Sequence, residues 1–236
     1  MIKNILFDLD GTLLPMDEKK FMKLYFRGLM TEFSEVDPQL LHMAVMKGTN
    51  EVREDSSDLT NLEVFAKSFV KTIPMDKDAV MERFYHYYET GFSRVKEATW
   101  VSQAMLETVR LLKQKGYRLF IATNPLFPLL ANHQRIIWAG LSIEDFDHVS
   151  CLEKNHFCKP NLKFYKEYLE ANELVAEESM MVGNDTYEDM VATRLGLSTY
   201  LITDCQINDN DFRFKSDHVG TAEQFLNFVK TLPDLS

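Results

Sequence analysis

The feature that most constrains this chain is an alternation. Short, continuous apolar runs, each long enough for one buried strand, are separated by segments whose apolar residues recur at helical spacing. Four runs are strong: "KNILFDL", "YRLFIAT", "ESMMVG" and "STYLIT"; "DHVSCL" is a weaker fifth. A run that is apolar at successive positions predicts a strand covered on both faces. Strands separated by helices predict a parallel sheet between helical layers. The intervening helices carry their own punctuation. "VSQAMLETVRLLKQKG" ends at Gly116, and "PLLANHQRIIWAG" begins after Pro128 and ends at Gly140. "NLKFYKEYLEAN" follows, "TYEDMVATRLG" stops at Gly196, and Thr221 with Gln224 opens the closing helix as a capping box. The expected fold class is α/β, a Rossmann-like parallel sheet sandwiched by helices.

The alternation breaks once. From Pro15 to Lys96 the pattern is helical throughout, with no convincing strand. "DEKKFMKLYFRGLMTEF", "NLEVFAKSFVKTI" and "DKDAVMERFYHYYETG" are three of its segments. In "DPQLLHMAVMKG", Asp37 is placed as N-cap, Pro38 as the first helical residue and Gly48 as the stop. The expectation is a core of residues 1–14 and 97–236, with an all-helical domain inserted over 15–96. Pro15–Met16 and Lys96–Thr99 would be its hinges.

Bulk composition narrows the function. The chain has 236 residues, a formal net charge of −10 and 45% hydrophobic residues, enough for a sizeable core. The acidic balance argues against sequence-independent nucleic-acid binding, which needs clustered Lys and Arg. The most apolar stretch, "LFIATNPLFPLLA", is too short and too interrupted to span a membrane. Asp8 and Asp10 cut short the apolar run that a signal peptide would need. The cysteines Cys151, Cys158 and Cys205 form no CxxC pair, which points to a reducing cytoplasm. No histidine pair has the spacing of a helical metal site.

In an open parallel sheet, ligands bind beyond the carboxyl ends of the strands. The first run ends in Asp8-Leu9-Asp10-Gly11-Thr12 and the second in Thr123-Asn124. The loop after the weak run carries Lys159-Pro160, and "ESMMVG" ends in Gly183-Asn184-Asp185, with Asp189 shortly after. Carboxylates crowded in this way raise one another's pKa, and a divalent cation relieves the repulsion. An all-oxygen set suits Mg2+, which binds through few carboxylates and keeps water and substrate phosphate as ligands. Lys159 points to an anionic substrate. Thr123 and nearby backbone N–H groups can donate to phosphate oxygens. Gly11 lets the chain turn close to a ligand, and a carboxylate can itself serve as a nucleophile.

Taken together, these residues resemble the haloacid dehalogenase superfamily. Asp8-Leu9-Asp10-Gly11-Thr12 matches its DxDGT motif, Thr123 its second motif, Lys159-Pro160 its third, and Asp185 with Asp189 its fourth. Asn184 departs from the Gly-Asp form of that fourth motif. The helical insertion resembles the cap that the family places between its first two motifs. The resemblance implies a role for each position. Asp8 is the nucleophile, and Asp10 protonates the leaving alcohol and then activates water. Thr123 and Lys159 hold the phosphoryl group and its charge, with Gly11, Thr12 and Asn124 at the substrate. Asp8, Asp10 and Asp185 hold Mg2+, and Asn184 and Asp189 support them.

The presence of Asp10 favours phosphoryl transfer over dehalogenation. The expected activity is Mg2+-dependent hydrolysis of a small phosphomonoester through an aspartyl-phosphate. A sugar phosphomutase and a non-catalytic binding protein are the alternatives. A phosphonate-cleaving relative would need a Schiff-base lysine, for which Lys19, Lys20 and Lys23 are the candidates. The insertion is rich in aromatic residues, including Phe21, Tyr25, Phe84, Tyr85 and Tyr88. Its Arg27, Arg53 and Arg83 could meet a second acidic group on a substrate. Oligomeric state is not readable.

Overall fold

The computed structural model describes residues 1–208 and 213–235. Its centre is a sheet of six parallel strands in the order β3-β2-β1-β4-β5-β6. These are β1 (Asn4–Phe7), β2 (Arg118–Ile121), β3 (His148–Val149), β4 (Ser179–Gly183), β5 (Ser198–Ile202) and β6 (His218–Gly220). Helices α5 (Gln103–Gln114), α6 (Leu129–Trp138), α7 (Leu162–Ala171) and α8 (Ala222–Thr231) connect and cover the strands.

The continuous apolar runs have the reason anticipated for them. Ile5 and Phe7 join the core that includes Val109 and Leu112 of α5 and Phe225 of α8, while Leu6 joins the opposite layer with Phe164, Tyr165 and Tyr168 of α7. Successive side chains of one strand therefore enter different cores, and each must be apolar. The sheet matches the expected α/β class. β6 was not legible: it is an edge strand whose His218 and Val219 are exposed, so only Gly220 carries a burial signal.

Between β1 and α5 the chain makes α1 (Glu18–Glu32), α2 (Pro38–Glu54), α3 (Asn61–Thr72), α4 (Lys77–Thr90) and a 3-10 segment, Phe92–Ala98. Asp37 caps α2 and Pro38 opens it, as the sequence suggests. Gly48 does not stop α2, which runs on to Glu54. A Cβ there would lie 2.9 Å from the Phe65 ring, so this glycine serves close approach of α3 rather than termination. The two linkers run side by side: the Asp17 N–H donates to Ala98 O (2.9 Å) and the Trp100 N–H to Pro15 O (3.1 Å).

A second expectation also needs correcting. "TYEDMVATRLG" forms a 3-10 segment over Met190–Leu195, not an α-helix. The Asp185 carboxylate takes the N–H groups of Tyr187 and Glu188, and the Asp189 carboxylate takes that of Asp185. Side chains that bind nearby backbone in this way compete with α-helical bonding.

Gly28 gives a direct test of packing within the insertion. A Cβ at Gly28 would meet the Tyr87 ring at 2.4 Å. Alanine is the better helix former by about 1 kcal/mol, but overpacking a tight core costs about 1–3 kcal/mol. Gly28→Ala is expected to lower stability in urea denaturation followed by circular dichroism. A variant at least as stable as the parent would show that Tyr87 can move aside.

Candidate active site

β1 and β4 pair in register, and the Asp8 N–H extends that pairing by donating to Val182 O at 2.8 Å. Asp8 thus stands where β1 leaves the sheet, flanked by the ends of β2 and β4. Strand order runs outward from β1 in both directions, so this is the crevice in which open α/β sheets bind ligands. The chain then turns back, with the Leu14 N–H donating to Leu9 O (2.8 Å) and Gly11 at φ +81°. A Cβ on Gly11 would fall 2.2 Å from Asn184 Nδ2. Thr12 Oγ1 donates to Asn184 Oδ1 (3.1 Å), and Asn184 Nδ2 donates to Cys205 O (2.6 Å). Asn184, the departure in the fourth motif, therefore fastens the first-motif turn to the end of β4.

Lys159 is the centre of the site. It is 1% exposed, and its ammonium donates to Asp8 Oδ1 (2.9 Å) and Asp189 Oδ1 (2.7 Å). Asp189 is itself pinned, since its Oδ2 accepts from the Asp185 N–H at 3.0 Å. Only glycine fits at Gly183, where a Cβ would lie 2.1 Å from that oxygen. Burial works against the Lys159 ammonium, but the charges of Asp189 and Asp8 outweigh it and hold its pKa well above the ordinary lysine value. Burial likewise pushes the Asp8 carboxyl up. Lys159 opposes that push, and Asp10 and Glu188 add to it. The Asp189 carboxyl is pushed up to about 7, mainly by burial. One cation facing two buried carboxylates leaves the pocket short of positive charge.

Asp10 and Asp185 are held separately. Arg135 of α6, fully buried, pairs with Asp10 Oδ2 and with Asn132 Oδ1, and its guanidinium lies 4.3 Å from the centre of the Phe127 ring. The other Asp10 oxygen is buried with no hydrogen-bond partner. Asp185 Oδ1 accepts from the Tyr187 and Glu188 N–H groups (2.7 and 2.9 Å), and its Oδ2 from Asn208 Nδ2 (2.7 Å). Among the described residues no three His, Cys, Asp or Glu side chains are already drawn into a metal-holding cluster. The donor chemistry nevertheless fits a hard divalent cation: oxygen donors alone, and uncompensated negative charge around Asp8.

These side chains open onto one cavity of about 480 Å³. Asp8, Asp10, Thr123, Asn124, Asn184, Asp185 and Asp189 line it from the sheet side, and α1–α4 line the opposite side. Lys159 is not at the wall; it lies behind Asp8, and Gly11 and Thr12 are likewise behind the surface. Lys19, Lys20 and Lys23 are not among the lining residues, and Lys20 donates to Glu97 O at 2.6 Å. Arg83 pairs with Glu35 away from the cavity. Arg53 does line it, paired with the protein's own Glu188.

Glu188 and Arg135 are the residues the sequence reading missed. Glu188 joins Asn124 Nδ2 (2.7 Å) on the sheet side to Arg53 on the insertion. Arg135 left a usable signal: it shares the apolar stripe of α6 with Ala131, Asn132, Ile136 and Trp138, all buried. A charge on the buried stripe of a helix requires a buried partner. Cys158, next to Lys159, is buried, and its thiol is pushed up to about 12, chiefly by burial, which leaves it inert. No helix among the described residues is long and apolar enough to cross a membrane.

Comparison with known proteins agrees with this geometry. A glyceraldehyde 3-phosphate phosphatase of Pyrococcus abyssi is 28% identical over 212 residues, covering 84% of this chain and 80% of that protein. One from Methanocaldococcus jannaschii is 25% identical over 236 residues, covering 98% and 99%. The solved structure of a HAD phosphatase from Thermococcus onnurineus superposes with a TM-score of 0.61 at 20% identity, covering 99% of this chain and all of that one. The family model for haloacid dehalogenase-like hydrolases matches residues 5–202, the span that carries all four strand-end motifs. This chain belongs to the haloacid dehalogenase-like hydrolase family.

Proposed function

We propose that this protein is a Mg2+-dependent phosphomonoester hydrolase that acts on a small phosphorylated metabolite through an aspartyl-phosphate on Asp8. The observation that carries this reading is Lys159, buried behind Asp8 and bonded to it, at the end of a strand that opens onto a ligand-sized cavity. Phosphatase names among the relatives support the reaction class.

In the proposed reaction an Asp8 carboxylate oxygen attacks phosphorus and the bond to the leaving oxygen breaks. Asp10 gives its proton to the departing alkoxide. It then takes a proton from water, whose oxygen attacks the same phosphorus and breaks the bond to Asp8, releasing inorganic phosphate. Arg135 holds the Asp10 carboxyl in one orientation through both steps. Lys159 opposes the charge on Asp8 and the transferring group, and Thr123 and nearby N–H groups receive its oxygens. The Asp8 and Asp185 carboxylates and the Asp10 backbone carbonyl would hold Mg2+, which when bound neutralises charge on the phosphoryl oxygens.

Residues 15–96 act in this reading as a cap over the core of 1–14 and 97–236, hinged at the paired linkers. Besides Arg53–Glu188 and the linker bonds, the two parts are joined by bonds that include Tyr85 to Glu153 (2.9 Å), Gln134 to Tyr88 O (2.6 Å), the Asn61 N–H to Asn155 O (2.8 Å), the Leu62 N–H to Leu152 O (2.9 Å) and Asn61 Nδ2 to Pro125 O (3.2 Å). Such contacts would exclude water during reaction and must break for product to leave. The free cysteines and the net charge of −10 are consistent with a cytoplasmic enzyme that does not bind nucleic acid.

The purified protein is expected to release phosphate from p-nitrophenyl phosphate with Mg2+ and to stop when the metal is chelated. Asp8→Asn is expected to lose at least about a thousandfold in rate with its circular dichroism unchanged. Activity that survives this change would remove the proposed nucleophile. Asp10→Asn should accumulate phosphorylated protein, visible by intact mass, because water is no longer activated. Its first step should suffer more with an alkyl ester than with p-nitrophenyl phosphate, whose leaving group needs no proton. Equal losses on both esters would argue against an acid role. Conversion of a hexose 1-phosphate to its 6-phosphate would identify a mutase instead.

A further inference from the structure

We propose that the substrate's leaving group is an uncharged, largely apolar alcohol that occupies the insertion side of the cavity. This deepens the phosphatase reading above and rests on it. Few polar groups on that side remain available to a ligand.

The wall facing the strand ends is built from Phe21, Tyr25, Phe65, Phe84 and Tyr88 of the insertion, with Phe127 beside them. Aromatic hydroxyls could in principle read a polyol, but here they are already bonded within the protein. Tyr25 and Tyr88 bond each other, oxygen to oxygen, at 2.9 Å, and both are buried. Tyr85 Oη donates to Glu153 at 2.9 Å. These bonds use much of the hydroxyls' capacity, so a sugar or triose carrying several hydroxyls would leave some of them poorly paired, and unpaired buried polar groups are costly.

The charge inventory points the same way. Among the described lining residues, the cation contributed by the insertion is Arg53, and Glu188 already neutralises it. Lys159 and Arg135 are buried against Asp8, Asp189 and Asp10. Among the described lining residues, a second phosphate or a carboxylate on the leaving group would therefore find no unpaired cation, and Glu18 and the strand-end carboxylates would repel it. Besides the tyrosines and Arg53, Glu18 of α1 and Thr49 and Asn50 of α2 are the polar groups the insertion contributes, enough to orient one or two hydroxyls. The volume of about 480 Å³ lies in the range of roughly 300–1,000 Å³ typical of small-molecule sites. An apolar group filling it would gain from leaving water, and the aromatic wall would gain with it.

The experiment is a chain-length series of ethyl, butyl and hexyl phosphate, with glyceraldehyde 3-phosphate and pyrophosphate alongside, all with Mg2+. Hydrolysis is measured on the parent protein and binding by calorimetry on Asp8→Asn. We expect affinity and kcat/KM to climb by about threefold per methylene, so that hexyl phosphate, four methylenes longer, exceeds ethyl phosphate by about eightyfold. It should also exceed both polar compounds. Met46→Gln and Leu62→Gln, at half-buried positions on the wall, should flatten the climb. A general loss of folding would lower every member alike and leave the slope intact.

A flat or falling series on a protein that still hydrolyses short esters would overturn the apolar assignment and leave the phosphatase reading standing. So would a preference for pyrophosphate or the triose phosphate. A climbing affinity with no hydrolysis of any ester would overturn the phosphatase reading while upholding the cavity's chemistry.

Discussion

The site depends on one buried ammonium. Lys159 sits between Asp8 and Asp189 with almost no contact with water, and each of the three comes from a different segment. Removing one partner from a buried ion group leaves an uncompensated charge in a medium of low dielectric, commonly at a cost of about 3–5 kcal/mol. The loop after β3, the end of β1 and the turn after β4 are therefore tied together by electrostatics as well as by packing. The same arrangement sets two buried carboxylates against one ammonium.

Two glycines make this convergence sterically possible. Gly183 ends β4 where the Asp189 carboxylate folds back over it, and Gly11 turns the chain where the Asn184 side chain lies against it. In both places a methyl group would occupy the space of a polar side chain that is already hydrogen bonded. The requirement is for room and, at Gly11, also for a positive φ. Asn184 then links the first-motif turn through Thr12 to the loop after β5 through Cys205 O. A residue that looked like a departure from the family's fourth motif is a structural tie between two strand ends.

The insertion contributes through what it withholds. Its aromatic residues pack around Tyr25, Tyr87 and Phe92, continuous with the core through Phe127 and Trp138, and some of the same rings form the far wall of the cavity. Because the hydroxyls of that wall are bonded to one another or to the core, the surface a ligand meets is mostly hydrocarbon and ring face.

Much of this was legible without coordinates. A strand buried on both faces must be apolar at every position, so β1, β2, β4 and β5 declared themselves. A polar residue at the end of such a strand has to face the crevice beyond it, which exposed Asp8, Thr123, Asp185 and the loop carrying Lys159. Capping chemistry placed the start of α2 and of α8, because the cap and the groups it satisfies are neighbours in sequence. Gly48 misled because a glycine that ends a helix and a glycine that admits a neighbouring ring look alike until the ring is in place. The pairing of Arg135 with Asp10, the bridge from Arg53 through Glu188 to Asn124, and the partners of the tyrosine hydroxyls belong to the tertiary structure alone. Helical and strand periods say which side of an element a residue occupies; which group waits opposite is decided only when distant segments pack.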